Sequence, residues 1–251
     1  MHVSSLAKMA SFLRTYETSF PRRDGVTRLL EVGSKSYDGQ PSYRSLITED
    51  WIDYTGLDLE AGLNVDLVPK SGFVWPEIAD GSFDVVISGQ TFEHNPYFWV
   101  TMAEISRVLS PGGLACIIAP GAVGVHRFPV DCWRFYPDSW APLCALTGLD
   151  PLEVFFEPDD LAIEVVDGHV RDCLVIARKP KRTTKVVQER LAQLTQPFAG
   201  KPVTFEPVPH REGPCIEDYR RTAPRAPQRR ARLARAIHGY GPGLLDEPKQ
   251  G

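Results

Sequence analysis

The chain has 251 residues, 43% hydrophobic and 24% charged, a globular composition long enough for one sizeable core and an accessory segment. No uninterrupted apolar run approaches the roughly 20 residues that a membrane-spanning helix needs, which excludes a span of that kind. The net charge of −4 is unevenly spread: Arg211–Gly251 carries nine Lys and Arg against five Asp and Glu, so the body before it is the more acidic part, which argues against a polyanionic partner such as nucleic acid.

The first stretch, through Glu17, reads as an amphipathic helix rather than a signal peptide, with Leu6, Met9, Phe12 and Leu13 on one face. Such a helix either covers the core or forms a lid over a ligand. Apolar runs then recur at Thr27–Val32, Asp53–Leu57, Phe83–Ile87, Leu114–Ala119, Leu152–Phe156 and Cys173–Ala177, with a shorter one at Asn64–Val68. Several are near-continuous, as strands covered on both faces are. Helices are expected between them at about 42–49, 97–109 and 137–146, with Pro137 suited to a first turn. Ser110-Pro111-Gly112-Gly113 is expected to end the second helix and turn the chain. Alternating strands and helices imply an α/β fold: a mostly parallel sheet with right-handed crossovers and ligands beyond the strands' carboxyl ends.

After Lys179 the character changes. Thr183–Leu194 reads as a polar helix, then come a Pro-rich stretch and an Arg- and Ala-rich one at Arg220–Arg235. The predicted organisation is an N-terminal helical segment (1–24), a ligand-binding domain (25–180) and a Pro/Arg-rich appendage (181–251). The appendage is too poor in apolar residues for its own core, and serves as a solvated tail, a dimerisation arm or a lid. Five cysteines without a CxxC pair, three of them in apolar runs, suit a reducing cytoplasm better than a disulfide framework.

The segment Leu29-Leu30-Glu31-Val32-Gly33-Ser34-Lys35-Ser36-Tyr37-Asp38-Gly39 runs from an apolar strand through an acidic residue into a glycine-containing loop. Gly33 lets the backbone pass close to a ligand. A second carboxylate, Asp58, ends the next strand, placed to accept both hydroxyls of a ribose. These features alone also fit a dinucleotide site. The loop nevertheless lacks GxGxxG, and a pyrophosphate would want more glycine and a free helix N-terminus. A ligand with a ribose and no phosphate fits better, and S-adenosylmethionine is such a ligand.

Downstream come Ser82-Phe83-Asp84-Val85-Val86, then Glu93-His94, then Glu104-Ile105-Ser106-Arg107-Val108-Leu109-Ser110-Pro111-Gly112-Gly113. As an ordered set, from about Leu29 to Arg178, the chain resembles the class I S-adenosylmethionine-dependent methyltransferases. The resemblance implies a Rossmann-like sheet of seven strands, the last antiparallel, with helices on both faces. It implies that Glu31 and Gly33 hold the methionine end of the cofactor, with Ser34 next in the loop. Asp58 would bind the ribose, Leu59 would pack on the adenine, and Asp66 would receive the adenine amino group with Leu67 beside it. Gln90 would line the site at the end of the strand before it. The family's usual Gly-x-Gly is replaced by Gly33-Ser34-Lys35, a departure in the first loop.

After the next strand, His126-Arg127-Phe128-Pro129-Val130-Asp131-Cys132-Trp133-Arg134-Phe135-Tyr136 supplies groups that recognise sugars: Trp133, Phe135 and Tyr136 offer flat faces, and Arg134 and Asp131 offer hydrogen bonds. The pattern H-x-x-P-x-D-x-W-R-F resembles methyltransferases of polysaccharide biosynthesis, with the sugar O-methyltransferases of mycobacterial methylmannose polysaccharide assembly as the suggested likeness. Transfer to a hydroxyl needs a base, for which histidine is suited. His126 is the candidate base, Asp131 orients it or the acceptor, and Glu93 and His94 line the acceptor pocket. The alternative makes His126 a loop residue satisfied by backbone. Mg2+ is a candidate ion, although no spacing dictates a metal site. The competing functions are a methyltransferase for a non-sugar metabolite and a non-catalytic scaffold of the same fold, and a homodimer is a candidate assembly.

Overall fold

Two interleaved sets of apolar side chains build the sheet. Along strand β1 (Thr27–Val32), Leu30 and Val32 join one buried cluster, while Leu29 joins a second. The alternation repeats on β3 (Phe83–Gly89), where Val86 belongs to the first cluster and Val85 and Ile87 to the second. It repeats again on β4 (Leu109–Ala122) with Ala115, Ile117 and Ala119 against Leu114, Cys116 and Ile118. A period of two with both faces apolar is what a sheet buried on both sides requires.

The computed structural model describes residues 3–37, 41–158, 163–165 and 168–200. Gly39, Cys215 and the Pro- and Arg-rich stretch from residue 201 onward lie outside them. With β2 (Ile52–Leu57), β5 (Asp150–Phe156), β6 (Ile163–Val165) and β7 (Gly168–Arg178), the sheet has seven strands in the order β2-β1-β3-β4-β7-β5, and β6 pairs with β7. The β1–β2, β1–β3 and β3–β4 pairs are parallel, whereas β7 runs antiparallel to β4, β5 and β6. The expected last antiparallel strand is therefore present.

Helix α1 (Val3–Tyr16) covers one face: Met9 and Phe12 are buried in the second cluster, and Leu6 and Leu13 pack against it. The first cluster is covered by α2 (Phe98–Val108) through Met102, Ile105 and Val108, and by α3 (Pro137–Thr147) through Trp140, Leu143 and Cys144. Pro137 sits in the first turn of α3, and Gly148, at φ 73°, closes it. Helix α4 (Lys185–Thr195) follows, its N-cap Thr184 accepting the Val187 N–H. Among the described residues no helix is long and apolar enough to cross a membrane. The described cysteines are free: Cys116, Cys144 and Cys173 are buried and Cys132 is exposed.

Three local expectations change. The helix expected at 42–49 is a short 3₁₀ turn over Tyr43–Leu46, followed by β-branched Ile47 and Thr48 in a more extended path. Its Tyr43 is fully buried and hydrogen-bonds Ser5 of α1 at 2.6 Å. The run 64–68 forms no strand but a single bridge from Leu67 to Leu57. The Asp66 carboxylate takes the Gly56 N–H that a ladder would use, and Pro69, which lacks an N–H, follows. Ser110–Gly113 lies inside β4, where the register jumps from Phe83–Leu109 to Val85–Leu114. Gly112, at φ 84°, and Gly113 remain tied to Lys179 through backbone bonds, so the Pro-Gly-Gly run makes a bulge rather than a turn.

Candidate active site

The carboxyl ends of β1, β2, β3 and β4 bring the sequence-predicted residues into two neighbouring groups. In the first, Gly33 leaves β1 at φ 81°, and a Cβ there would lie 2.1 Å from Thr91 Oγ1. Only glycine fits this turn. Thr91 was not singled out in the sequence, and its sole signal is its place just after Gln90. The Gly33 and Ser34 N–H groups both donate to Leu57 O, which folds the loop against the end of β2. Lys35 N–H then donates to Asp58 Oδ2 at 2.9 Å. Burial raises the Asp58 carboxyl, and the backbone N–H groups of Lys35, Glu60 and Leu59 oppose that rise.

Glu31 is fully buried in β1 and accepts a hydrogen bond from the Tyr54 hydroxyl. Burial pushes its carboxyl up to about 8. Its Oε1 and the Ser34 hydroxyl are buried without a partner. Two orphaned polar atoms beside a glycine turn, next to a strand-end carboxylate, fit the charged amino-acid end and the ribose of the proposed cofactor. Asp66 is already engaged, its Oδ2 taking the Gly56 N–H at 2.8 Å and pairing with Arg44. Leu67 packs against the core, while Leu59 is exposed. The Asp66 side chain is nonetheless 43% exposed, so its other oxygen faces outward at the end of β2.

Gln90 directly follows β3 at φ 57°, a conformation costly for a residue with a Cβ. Its Nε2 donates to Asp172 Oδ1 at 3.0 Å. Asp172 is fully buried and pairs with Lys8 Nζ at 2.8 Å, and the same Lys8 reaches Glu157 at 2.9 Å. The first helix therefore fixes the side chain at the end of β3. The one local trace of this network is an Asp in an apolar strand.

The second group surrounds the 3₁₀ turn Phe92–His94 and the loop after β4. Glu93 is fully buried, and neither of its carboxylate oxygens has a hydrogen-bond partner. Burial pushes its carboxyl up to about 8. Its backbone oxygen accepts the Cys132 and Trp133 N–H groups at 2.7 and 3.2 Å, which ties this turn to the loop. His94 Nδ1 lies 2.6 Å from Val130 O and Nε2 lies 3.7 Å from Glu93 Oε1. Burial lowers the pKa of His94. The His126 ring stands edge-on to that of His94 with centroids 5.0 Å apart. Its Nδ1 is 3.1 Å from Gly124 O and 3.6 Å from Asp131 Oδ2.

Asp131 accepts the His126 backbone N–H at 2.8 Å and grips Arg134 through two bonds of 2.5 and 2.6 Å. Arg134 also donates to the Val123, Gly124 and Trp133 carbonyls. It is the brace of the loop, with few donors left for an acceptor. Phe135 is buried and stacks on Trp140 at 5.0 Å, so it belongs to the core and offers no face to a sugar. Trp133 and Tyr136 are exposed. Glu93, His94, His126 and Asp131 come together as one cluster; of the expected sugar platforms, two of three face solvent.

Glu104 and Arg107 have a structural explanation. Glu104 accepts the Trp75 N–H, and Arg107 binds Glu104, Asp80 and the Trp75 and Ile78 carbonyls, fastening the 75–80 segment to α2. A groove of about 370 Å³ lined by Leu13, Phe20, Leu46, Trp51 and Ile52 includes none of the strand-end residues.

Residues 45–117 match the family model of a methyltransferase domain. Among curated proteins, none matches the chain in sequence. Among solved structures, a protein assigned as a sarcosine dimethylglycine methyltransferase of Galdieria sulphuraria is 17% identical, with a TM-score of 0.53 over 72% of this chain and 87% of that one. The 1,6-didemethyltoxoflavin-N1-methyltransferase of Burkholderia thailandensis, solved with 1,6-didemethyltoxoflavin and S-adenosylhomocysteine, is 15% identical, with a TM-score of 0.52 over 70% and 78% of the two chains. The fold is the Rossmann-like methyltransferase fold, and with the family match it supports an S-adenosylmethionine-dependent methyltransferase.

Proposed function

We propose that the protein is an O-methyltransferase that uses S-adenosylmethionine to methylate a hydroxyl of a sugar or oligosaccharide precursor, a mannoside being the model acceptor. The single observation that supports this most is the convergence of Glu93, His94, His126 and Asp131 at the ends of β3 and β4, beside the Gly33 turn and the strained Gln90. S-adenosylmethionine supplies an electrophilic methyl group on its sulfonium. Every other requirement falls on the chain. Gly33 and Asp58 hold the donor, and Glu31 Oε1 and Ser34 Oγ meet its amino-acid end.

On the acceptor side a carbonyl oxygen can only accept, so the hydrogen of His126 sits on Nδ1 toward Gly124 O. Nε2 then carries the free lone pair that removes the acceptor proton. Asp131, locked by Arg134, fixes the His126 backbone and lies near Nδ1, which stabilises the imidazolium as it forms. Exposed Trp133 and Tyr136 provide apolar faces for a pyranose ring. The appendage from 181 onward is proposed to act outside the chemistry, with α4 braced on the body through Arg190 and the Ala145 carbonyl.

Calorimetry with S-adenosylmethionine, followed by a methyl-transfer screen against mono- and oligosaccharides, tests the reading in two steps. Binding followed by transfer to a sugar hydroxyl is expected. Transfer confined to non-sugar acceptors would overturn the acceptor class, and no binding at tens of micromolar would overturn the enzyme.

A further inference from the structure

We propose that Glu93, His94 and His126 form a binding site for one borderline divalent transition-metal ion of the Zn2+ class. The proposal goes beyond the methyl-transfer reading and stands independently of it. One ligand atom from each of the three residues lies within 4.8 Å of the others. Ligands around a single Zn2+, with bonds near 2.0–2.1 Å, stand about 3 to 3.5 Å apart, so a contraction of at most about 1.3 to 1.8 Å closes the set.

The second observation is the Glu93 carboxylate. It is fully buried and lies 3.7 Å from His94 Nε2, and neither oxygen takes a hydrogen bond from another residue. Buried carboxylates ordinarily have a partner, and an ion supplies the missing one. The third observation is the orientation of the two rings. His94 Nδ1 meets Val130 O at 2.6 Å and His126 Nδ1 meets Gly124 O at 3.1 Å. Carbonyl oxygens fix the hydrogen on Nδ1 in both rings and leave Nε2 of each with its lone pair. Metal-ligating histidines are held in this way, their second nitrogen donating to a backbone carbonyl. The Cys132 and Trp133 N–H groups clamp the Glu93 carbonyl, so the site is held from both of its chain segments.

Two imidazoles and one carboxylate set the metal class. Mg2+ prefers an octahedron of oxygens, whereas imidazole suits Zn2+, Co2+, Ni2+ and Fe2+. Three protein ligands leave at least one position open. Ion and acceptor proton compete for Nε2 of His126, so an ion-loaded site is one whose base is withheld.

The test uses the full chain, stripped by chelation, and Co2+ as an optical probe. One equivalent of Co2+ is expected to produce visible ligand-field absorption that Zn2+ abolishes. In Glu93→Gln and His94→Gln the Co2+ affinity is expected to fall at least about tenfold with circular dichroism unchanged. Absence of the bands, or equal affinity in both variants, overturns the site. A measurement on the unsubstituted protein guards against misfolded variants: Zn2+ is expected to protect His94 and His126 from diethyl pyrocarbonate, mapped by mass spectrometry. Equal modification with and without Zn2+ overturns the proposal. The two readings fail separately. Co2+ binding without S-adenosylmethionine binding supports the ion site and sinks the transferase, and the reverse result does the opposite.

Discussion

The ends of β1 and β2 and the ends of β3 and β4 lie side by side and are finished differently. On the first side every carboxylate meets at least one donor of the chain itself, with Glu31 Oε1 left open: Glu31 the Tyr54 hydroxyl, Asp58 the Lys35 N–H, Asp66 the Gly56 N–H. On the second, Glu93 has no donor from another residue, and two histidines keep their outer nitrogens open. The first is a cradle pre-shaped by backbone, suited to a constant ligand. The second is a set of reactive groups held in place and left unsatisfied, as a site that must engage a proton, an acceptor or an ion has to be.

The largest effect breaks the open side alone. His126→Ala is expected to lower turnover by about a thousandfold, the usual reach of general-base catalysis, with S-adenosylmethionine affinity unchanged. Calorimetry and initial rates on the same preparation check it, and near-normal rates would place the base elsewhere. Next comes the strut shared by both sides. Lys8→Met strands the Asp172 and Glu157 carboxylates, which lie at 0% and 5% side-chain exposure. Removing one partner of a buried pair typically costs about 3 kcal/mol or more, so denaturant melts should show a loss near that figure. A loss under about 1 kcal/mol would mean that the network is solvated.

How much of this was legible depended on the kind of signal. Strands β1, β3 and β4 announced themselves because both of their faces are buried, and Gly33 and Asp58 because a strand end followed by glycine or a carboxylate leaves a local trace. The Ser110–Gly113 bulge was misread as a turn because Pro-Gly-Gly encodes the kink but not the long-range bond to Lys179 that returns it to the sheet. Arg134 and Phe135 read as sugar contacts because residue type alone cannot show that Asp131 and Trp140 already hold them. The Lys8–Asp172–Gln90 chain was invisible, since its members are more than 80 residues apart.

The third prediction sharpens the contrast through pH. The Glu93 carboxyl sits at about 8 in the folded chain against an ordinary 4.5, and Glu31 is raised likewise. Between those values the unfolded chain has released protons that the folded one retains, so stability falls as pH rises from about 4.5 to about 8. Each such group contributes a slope of about 1.4 kcal/mol per pH unit at most. Glu93→Gln removes one of the two contributions and is expected to recover about 2 kcal/mol of the loss between pH 6 and pH 8, measured by denaturant melts in the presence of chelator. An unchanged slope would show that the Glu93 carboxylate is ionised and already paired.

The smallest effect tests the closed side. Asp58→Asn keeps a side-chain carbonyl that can accept the Lys35 N–H, so the Gly33 loop retains its anchor. What it loses is a charged acceptor for two ribose hydroxyls, and hydrogen bonds to charged groups are worth more than neutral ones. The expected result is about a tenfold weaker S-adenosylmethionine affinity, about 1.4 kcal/mol, with melting unchanged. Because Asp58 serves the loop in the free protein, a fall in stability with unchanged affinity would reassign it as a brace of the cradle. Affinity lost without stability is the pattern that makes it a ligand.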